Sequence, residues 1–259
     1  FCVFGVQPTD TFDQRKEKIQ LRGHTATVRW ASALSSSSIL TGSRDTTLKV
    51  WNIETGECET TFEGHTATVR SVARHGDIVV SASYDHDARV WSLEKKDCLH
   101  VLKGHTAQLY GVDFDGKQIV TGSLDKTARV WNPESGTCVA ILEGYTSLVS
   151  LIQLLPSAIL TGDAGGFLRR WSRDTYSEIW SVKAQTRHAI TTLECLGSKI
   201  VTGGSEGVIK LWDLESGSLV KELANSDAAW KVGFLGEGRI IALCSRNKEV
   251  ILEVSGTLL

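Results

Sequence analysis

The chain has 259 residues, of which 41% are hydrophobic and 22% charged, with a formal net charge of −2. No apolar run is long enough for a membrane-spanning helix, no signal-peptide pattern is present, and the near-neutral balance argues against nucleic acid as the main partner. Three prolines and no low-complexity tract leave no linker, so residues 1–259 read as one domain.

Residues 1–6 read as a strand with Phe4 in a place that Trp takes in later copies, and residues 7–16 as a long polar turn. Lys18-Ile19-Gln20-Leu21 then reads as an outer strand leading into Gly23-His24. The chain thus starts in mid-repeat, with Phe and without any Met, which leads us to expect an N-terminally truncated fragment. From Gly23 onward the pattern is regular. Gly23-His24 leads to Asp45 and Trp51, Gly64-His65 to Asp85 and Trp91, and Gly104-His105 to Asp125 and Trp131. The His-to-Asp spacing is 21, 20 and 20 residues, and Asp-to-Trp is 6 each time. Weaker copies end at Trp171 and Trp212, so the Trp series steps by 40, 40, 40 and 41.

Within the third copy, residues 109–114 alternate as a half-buried strand, and 118–122 form a mostly buried one. Residues 127–131 make a third strand and 138–142 an outer fourth, with turn chemistry at Pro133-Glu134-Ser135-Gly136. A four-strand unit at a period near 40 predicts an all-β propeller whose blades must stack to bury both faces. Five blades end near Phe62, Leu102, Leu142, Val182 and Leu223, and residues 229–234, 240–244 and 250–254 supply three strands of a sixth that has lost its Trp. The count is six readable blades plus a leading half-blade. Cys58, Cys98 and Cys138 share one repeat position, which predicts small buried hydrophobes in a reducing compartment. No metal-ligand spacing is present and no cofactor is implied.

These marks resemble the WD-repeat propellers. In that family a loop His, a strand-two Ser or Thr, a turn Asp and the Trp form a hydrogen-bonded set. The resemblance implies three such sets: His24, Thr41, Asp45, Trp51; His65, Ser81, Asp85, Trp91; and His105, Thr121, Asp125, Trp131. A His/Asp pair copied three times at one period is structural, because one active site needs one base. The fourth copy has Tyr145 for His and Gly165 for Asp, and the fifth has Thr186 and Glu206, so those blades are expected to be held mainly by packing.

Function must come from positions that differ between blades. Two per blade should face one rim of the channel. The first series is Arg29, Arg70, Tyr110, Ser150, Thr191 and Trp230, and the second is Arg44, Tyr84, Leu124, Ala164, Ser205 and Arg246. Clustered Arg without matching carboxylates suits bidentate capture of a phosphate. Tyr84, Tyr110, Leu124 and Trp230 would add an apolar border, which describes a reader of extended phosphopeptides.

Residues 18–254 further resemble the propeller of the fungal cell-division-control F-box protein family and its animal orthologue. The likeness is carried by Thr27-Val28-Arg29, Thr41-Gly42-Ser43-Arg44-Asp45, Thr68-Val69-Arg70-Ser71-Val72, His75 to Asp85, and Ser245-Arg246-Asn247. That resemblance implies eight blades and the substrate-recognition subunit of a cullin-RING (SCF-type) ubiquitin ligase. It implies phosphothreonine-proline degrons as ligands, and a nuclear and cytoplasmic location. Arg29, Arg44 and Arg70 match its phosphate-binding arginines, and Tyr84, Tyr110 and Trp230 its aromatic surround. Gln108 stands where yeast-type members have another basic residue, and no F-box, through which adaptor and cullin would be reached, occurs in these residues. The alternatives are a phosphate-independent protein-interaction scaffold and a propeller enzyme, for which no catalytic residue breaks the repeat pattern at the channel mouth.

Overall fold

In the computed structural model, residues 2–3, 19–185, 189–235, 239–247 and 249–254 are described. All regular structure among them is β-strand: five four-stranded antiparallel sheets, a three-stranded sheet and a leading two-stranded pair. The alternation read in the third copy becomes Leu109–Phe114, Ile119–Ser123, Ala128–Trp131 and Cys138–Leu142, hydrogen-bonded in that order. The last sheet is Ala228–Leu235, Arg239–Arg246 and Glu249–Val254. Each blade sets its first strand against the next, from Val28–Ala33 through Val69–His75, Leu109–Phe114, Val149–Leu154 and Ile190–Leu196 to Ala228–Leu235. No comparable packing joins blade six back to blade one among the described residues. Blade six accordingly leaves Leu243, Val250, Leu252 and Val254 exposed.

The leading pair fits the same scheme. Cys2–Val3 runs antiparallel to Ile19–Gln20. A Cβ added to Gly56 would stand 3.1 Å from Ile19 Cγ2, just as one on Gly136 would meet His100 and one on Gly217 would meet Trp180. Ile19–Gln20 therefore takes the place of an outer strand beside blade one. Phe4 and the polar stretch 7–16 lie outside the described residues.

Blades one to five are stapled by one hydroxyl each. In blade one, Thr41 Oγ1 accepts the indole N–H of Trp51 at 2.7 Å and meets His24 Nε2 at 2.7 Å, while His24 Nδ1 sits 2.7 Å from Asp45 Oδ2. Ser81 with Trp91, His65 and Asp85, and Thr121 with Trp131, His105 and Asp125, repeat this with bonds of 2.7 to 2.8 Å. The three indoles are only 1%, 2% and 1% exposed. Each Asp also accepts backbone N–H groups, as Asp45 does from Thr25 and Thr47. That grip holds Thr46, His86 and Lys126 at left-handed φ of 73°, 76° and 66°, a conformation that costs a side chain about 1–2 kcal/mol. Blades four and five lack the Asp and have Gly166 and Gly207 at the same place, with φ of 83° and 79°. A Cβ on Gly207 would run into the Ser226 carbonyl. Losing the clamp and gaining the glycine go together.

One expectation gains detail and another needs correction. Blades four and five, expected to be held mainly by packing, keep part of the staple as well. Tyr145 OH replaces the imidazole 2.8 Å from Thr161 Oγ1, which still accepts the Trp171 N–H at 3.1 Å. Arg169 covers the Tyr145 ring at 5.0 Å, donates to Gly144 O and pairs with Glu178. In blade five Thr202 accepts the Trp212 N–H at 2.9 Å, and buried Gln185 donates to Val208 O; Thr186 lies outside the described residues. The hydroxyl persists where the His does not. The repeated cysteines, moreover, are not buried: Cys58 and Cys138 are exposed and Cys98 is half-buried. The fourth strand is the blade's free edge, and a register shift opposite Val130 and Trp131 helps turn Cys138 outward.

Trp91→Ala removes a buried indole from a packed seam and should cost about 3–5 kcal/mol, read from chemical denaturation. The staple also sets a pH dependence. Burial alone would raise the Asp85 carboxyl, but the hydrogen bond and charge of His65 and two backbone amides outweigh it and hold it at about 2, and Asp45 is likewise held at about 2. Burial pushes His24 and His105 below their ordinary 6.5, against the pull of Asp45 and Asp125. Both shifts have the same consequence. The unfolded chain takes up protons first, so stability falls as pH drops below 6.5 and falls again between 3.8 and about 2. Thermal melts should show both declines, and Asp85→Asn should flatten the lower one. A melting temperature unchanged by acid would contradict the staple.

Candidate peptide-binding rim

The first series of rim residues has a common structural cause. Val28 pairs with Ser43 and Trp30 with Gly42, so Arg29 between them has no cross-strand partner. The same one-residue slip falls at Arg70, Tyr110, Ser150, Thr191 and Trp230. A β-bulge of this kind bends the strand and re-aims the unpaired side chain. It recurs in all six blades at the position that varies most in chemistry.

The second series sits at the same corner. The amide of Arg44 donates to Thr27 O at 2.9 Å, and those of Tyr84, Leu124, Ala164 and Ser205 donate to Thr68, Gln108, Leu148 and Ala189. Ser43 Oγ braces the corner by donating to Ala26 O and Thr27 O, and Ser83 and Ser123 do so in the next blades. Each of blades one to five thus presents one bulge residue and one corner residue side by side.

Blades two and three show how the corners meet. The Tyr84 ring, from the corner of blade two, lies 4.9 Å from that of Tyr110, the bulge residue of blade three. The Arg70 guanidinium stands 6.0 Å from the Tyr110 ring. Burial and the hydrogen bond with Tyr84 raise the Tyr110 phenol, with Arg70 opposing. Arg44 holds the same corner position in blade one as Tyr84 does in blade two. Arg29 and Arg44 are exposed, and neither side chain has a hydrogen bond or ion pair among the described residues. Leu124, at the corner of blade three, and Trp230, at the bulge of blade six, are 43% and 46% exposed. Between them, Ser150, Ala164, Thr191 and Ser205 leave blades four and five with small side chains, Thr191 bonding back to Gly203 O and Ala229 O.

Arg246 departs from this arrangement. The second strand of blade six runs on to Arg246, which pairs directly with Glu249. Its guanidinium forms an ion pair with Glu253, Nη2 to Oε1 at 2.8 Å. Glu253 lies opposite Ala242, four residues back along the strand from Arg246. The pair therefore draws Arg246 down its own sheet, away from the corner. Sequence reasoning missed Glu253 because it treated blade six as a copy of the other corners.

Both imidazole nitrogens of His24, His65 and His105 are engaged within their staples, so none is free to move a substrate proton. Among the described residues no group of three or more His, Cys, Asp or Glu could hold a metal ion, and no helix is long and apolar enough to cross a membrane.

Residues 15–52, 56–92 and 96–132 match the family described as WD domain, G-beta repeat. The chain is similar to the pre-mRNA-splicing factor PRP46 of Saccharomyces cerevisiae, with 44% identity over 20% of this chain and 12% of that protein. It is similar to the WD repeat-containing protein pop1 of Schizosaccharomyces pombe, with 42% identity over 17% and 6%, and to the WD repeat-containing protein RUP1 of Arabidopsis thaliana, with 44% over 24% and 18%. The chain thus matches less than a fifth of the length of each relative. Among solved structures, the computationally designed Ika8 protein superposes with a TM-score of 0.82 at 26% identity, over 91% of this chain and 72% of that one. Recurring staples, stacked four-stranded blades and the superposition on the designed protein give the chain a β-propeller fold, three segments of which match the WD domain, G-beta repeat family.

Proposed function

We propose that this propeller reads phosphorylated segments of partner proteins, with Arg29, Arg44 and Arg70 holding the phosphate. The observation that carries the reading is a set of three arginines on the bulges and corner of adjacent blades, two of them without a hydrogen bond or ion pair among the described residues and the third beside the Tyr84–Tyr110 pair. Clustered cations repel one another, and a dianion between them relieves that repulsion. A phosphothreonine brings about −1.5 to −2 charges and several acceptors. Guanidinium is suited to it because its fork donates two parallel bonds. The tyrosines, Leu124 and Trp230 offer flat and apolar surface to the flanking residues. A following proline suits an extended ligand, since it has no amide hydrogen to satisfy and a preset backbone angle.

The resemblance of residues 18–254 to the F-box propellers extends the reading. On it the ligands are phosphothreonine-proline degrons, and the chain is the substrate receptor of an SCF-type ubiquitin ligase, without catalytic residues of its own. Adaptor and cullin would be reached through an F-box outside these residues, and the protein would work in nucleus and cytoplasm.

The test is titration of a phosphothreonine-proline peptide and its unmodified twin against wild type and the three Arg→Ala variants. Each charge-assisted bond contributes about 1.5–3 kcal/mol, so Arg44→Ala should weaken binding by about tenfold or more. Arg44→Lys should restore only part of it. Because Arg29 and Arg44 are exposed and hold no hydrogen bond or ion pair among the described residues, their Ala variants should keep stability within about 0.5 kcal/mol of wild type. Equal affinity for the twins would leave a phosphate-independent scaffold.

A further inference from the structure

We propose that the outer strand of blade three, Cys138–Leu142, is a second interaction surface: it takes an extended segment of a partner protein, apolar along its length and basic at its ends, as an added β-strand. The outer strand of a sheet turns half of its backbone N–H and C=O groups away from its neighbour, and such a row pairs readily with another extended chain. Proteins commonly guard these edges with charged side chains. Blades one, two, four, five and six each put at least one charge on their outermost strand, at Glu59, Asp97, Glu178, Lys221 and Glu249. Cys138–Leu142 carries none, and its sequence is Cys-Val-Ala-Ile-Leu. Val139 and Ile141 are 48% and 45% exposed, so this edge presents apolar surface to water. Ile179 and Leu219 are exposed on their outer strands too, but each shares its strand with charges. Blade three alone combines an open edge, exposed branched side chains and no guard.

Charge at the two ends of the strand identifies the occupant. Glu134 lies in the turn before it and Glu143 directly after it, both exposed and without an ion pair among the described residues. Arg129, cross-strand from Ile141, donates to Cys138 Sγ at 3.8 Å and stays on its own sheet. An apolar edge framed by two carboxylates complements a strand with β-branched residues in its middle and Lys or Arg at its ends. A second copy of the same edge would bring two more glutamates and no cation on the strand, so it is the poorer occupant. Main-chain pairing supplies the affinity of such a contact, and side chains at alternate positions supply the choice of partner. Tyr110 is on the first strand of this blade and Cys138–Leu142 is the fourth, so the edge lies across the sheet from the rim. The surface is therefore separate from the arginines and does not rest on the phosphopeptide reading.

The probe is a synthetic peptide, Lys-Lys-Thr-Val-Thr-Val-Thr-Lys-Lys, followed by fluorescence anisotropy beside two twins. One twin has proline at the central position, which removes an N–H and blocks pairing in mid-strand. The other has glutamates in place of the lysines. Wild type should bind the lysine peptide, the proline twin about tenfold more weakly or worse, and the glutamate twin about fivefold more weakly at low salt, with that last gap closing at high salt. Ile141→Lys and Val139→Lys each guard the edge with a charge at an exposed position, and each should weaken the lysine peptide about tenfold at an unchanged melting temperature. Glu143→Lys should narrow the preference for lysine over glutamate ends. In wild type itself, the amides of Cys138–Leu142 should exchange more slowly with the peptide bound. Arg44→Ala should bind the lysine peptide as wild type does, which keeps this result distinct from the phosphopeptide reading. No binding of the lysine peptide, equal affinity for the proline twin, or unchanged amide exchange would each overturn the proposal. So would a wild-type dimer that Ile141→Lys dissolves, because it would assign the edge to a second copy.

Discussion

Blades one to five each depend on one buried hydroxyl. Thr41, Ser81, Thr121, Thr161 and Thr202 each accept an indole N–H from the third strand of their own blade. Four of them also bond a ring from the loop that enters the blade, His24, His65, His105 or Tyr145. That contact ties three stretches of chain far apart in sequence to one atom. It fixes where the first strand begins, and hence where the bulge falls. Hydrogen bonds of this kind contribute about 1 kcal/mol each, but leaving a buried indole N–H without a partner costs more, which explains why the hydroxyl outlasts the His/Asp pair.

The rim follows from the staple. A loop pinned by His and Asp delivers the strand in a constant register, and the slip after Val28, Val69 or Leu109 turns one side chain out of the ladder at the same height in each blade. Evolutionary freedom at that position costs the core nothing, since the bulge residue pairs with no other strand. A propeller can therefore carry Arg29 and Arg70 on two blades, Tyr110 on the third and small residues beyond while its interior stays uniform.

Much of this was legible in the sequence because the period is. Spacing placed the blades and the Trp of the first five, and the resemblance to WD-repeat propellers named the other members of the staples. What was not legible depends on contacts across strands. The bulge leaves no mark in local pattern, because Val-Arg-Trp and Val-Arg-Ser alternate as ordinary strands do. Cys138 was misread as buried because repetition suggests a core, yet the fourth strand has only one covered side. Blades four and five were judged by their missing His and Asp, although Thr161 and Thr202 had kept the bond that matters. Arg246 was assigned by repeat equivalence, and its partner Glu253 became visible only through the register of the last two strands. The leading strand was partly recovered through the seat of Ile19 against Gly56.

The central claim is that three arginines stabilise a dianion at the mouth of the propeller. The most direct measurement is the phosphorus-31 resonance of a phosphothreonine-proline peptide, followed through pH when free and when bound. A free phosphothreonine takes up its proton near pH 6. Bound against Arg29, Arg44 and Arg70 the phosphate should remain a dianion well below that pH, and Arg44→Ala should move the titration back toward the free value. A bound resonance that titrates as the free peptide does would contradict the account, because it would mean that the phosphate, even in the complex, is facing water rather than arginine.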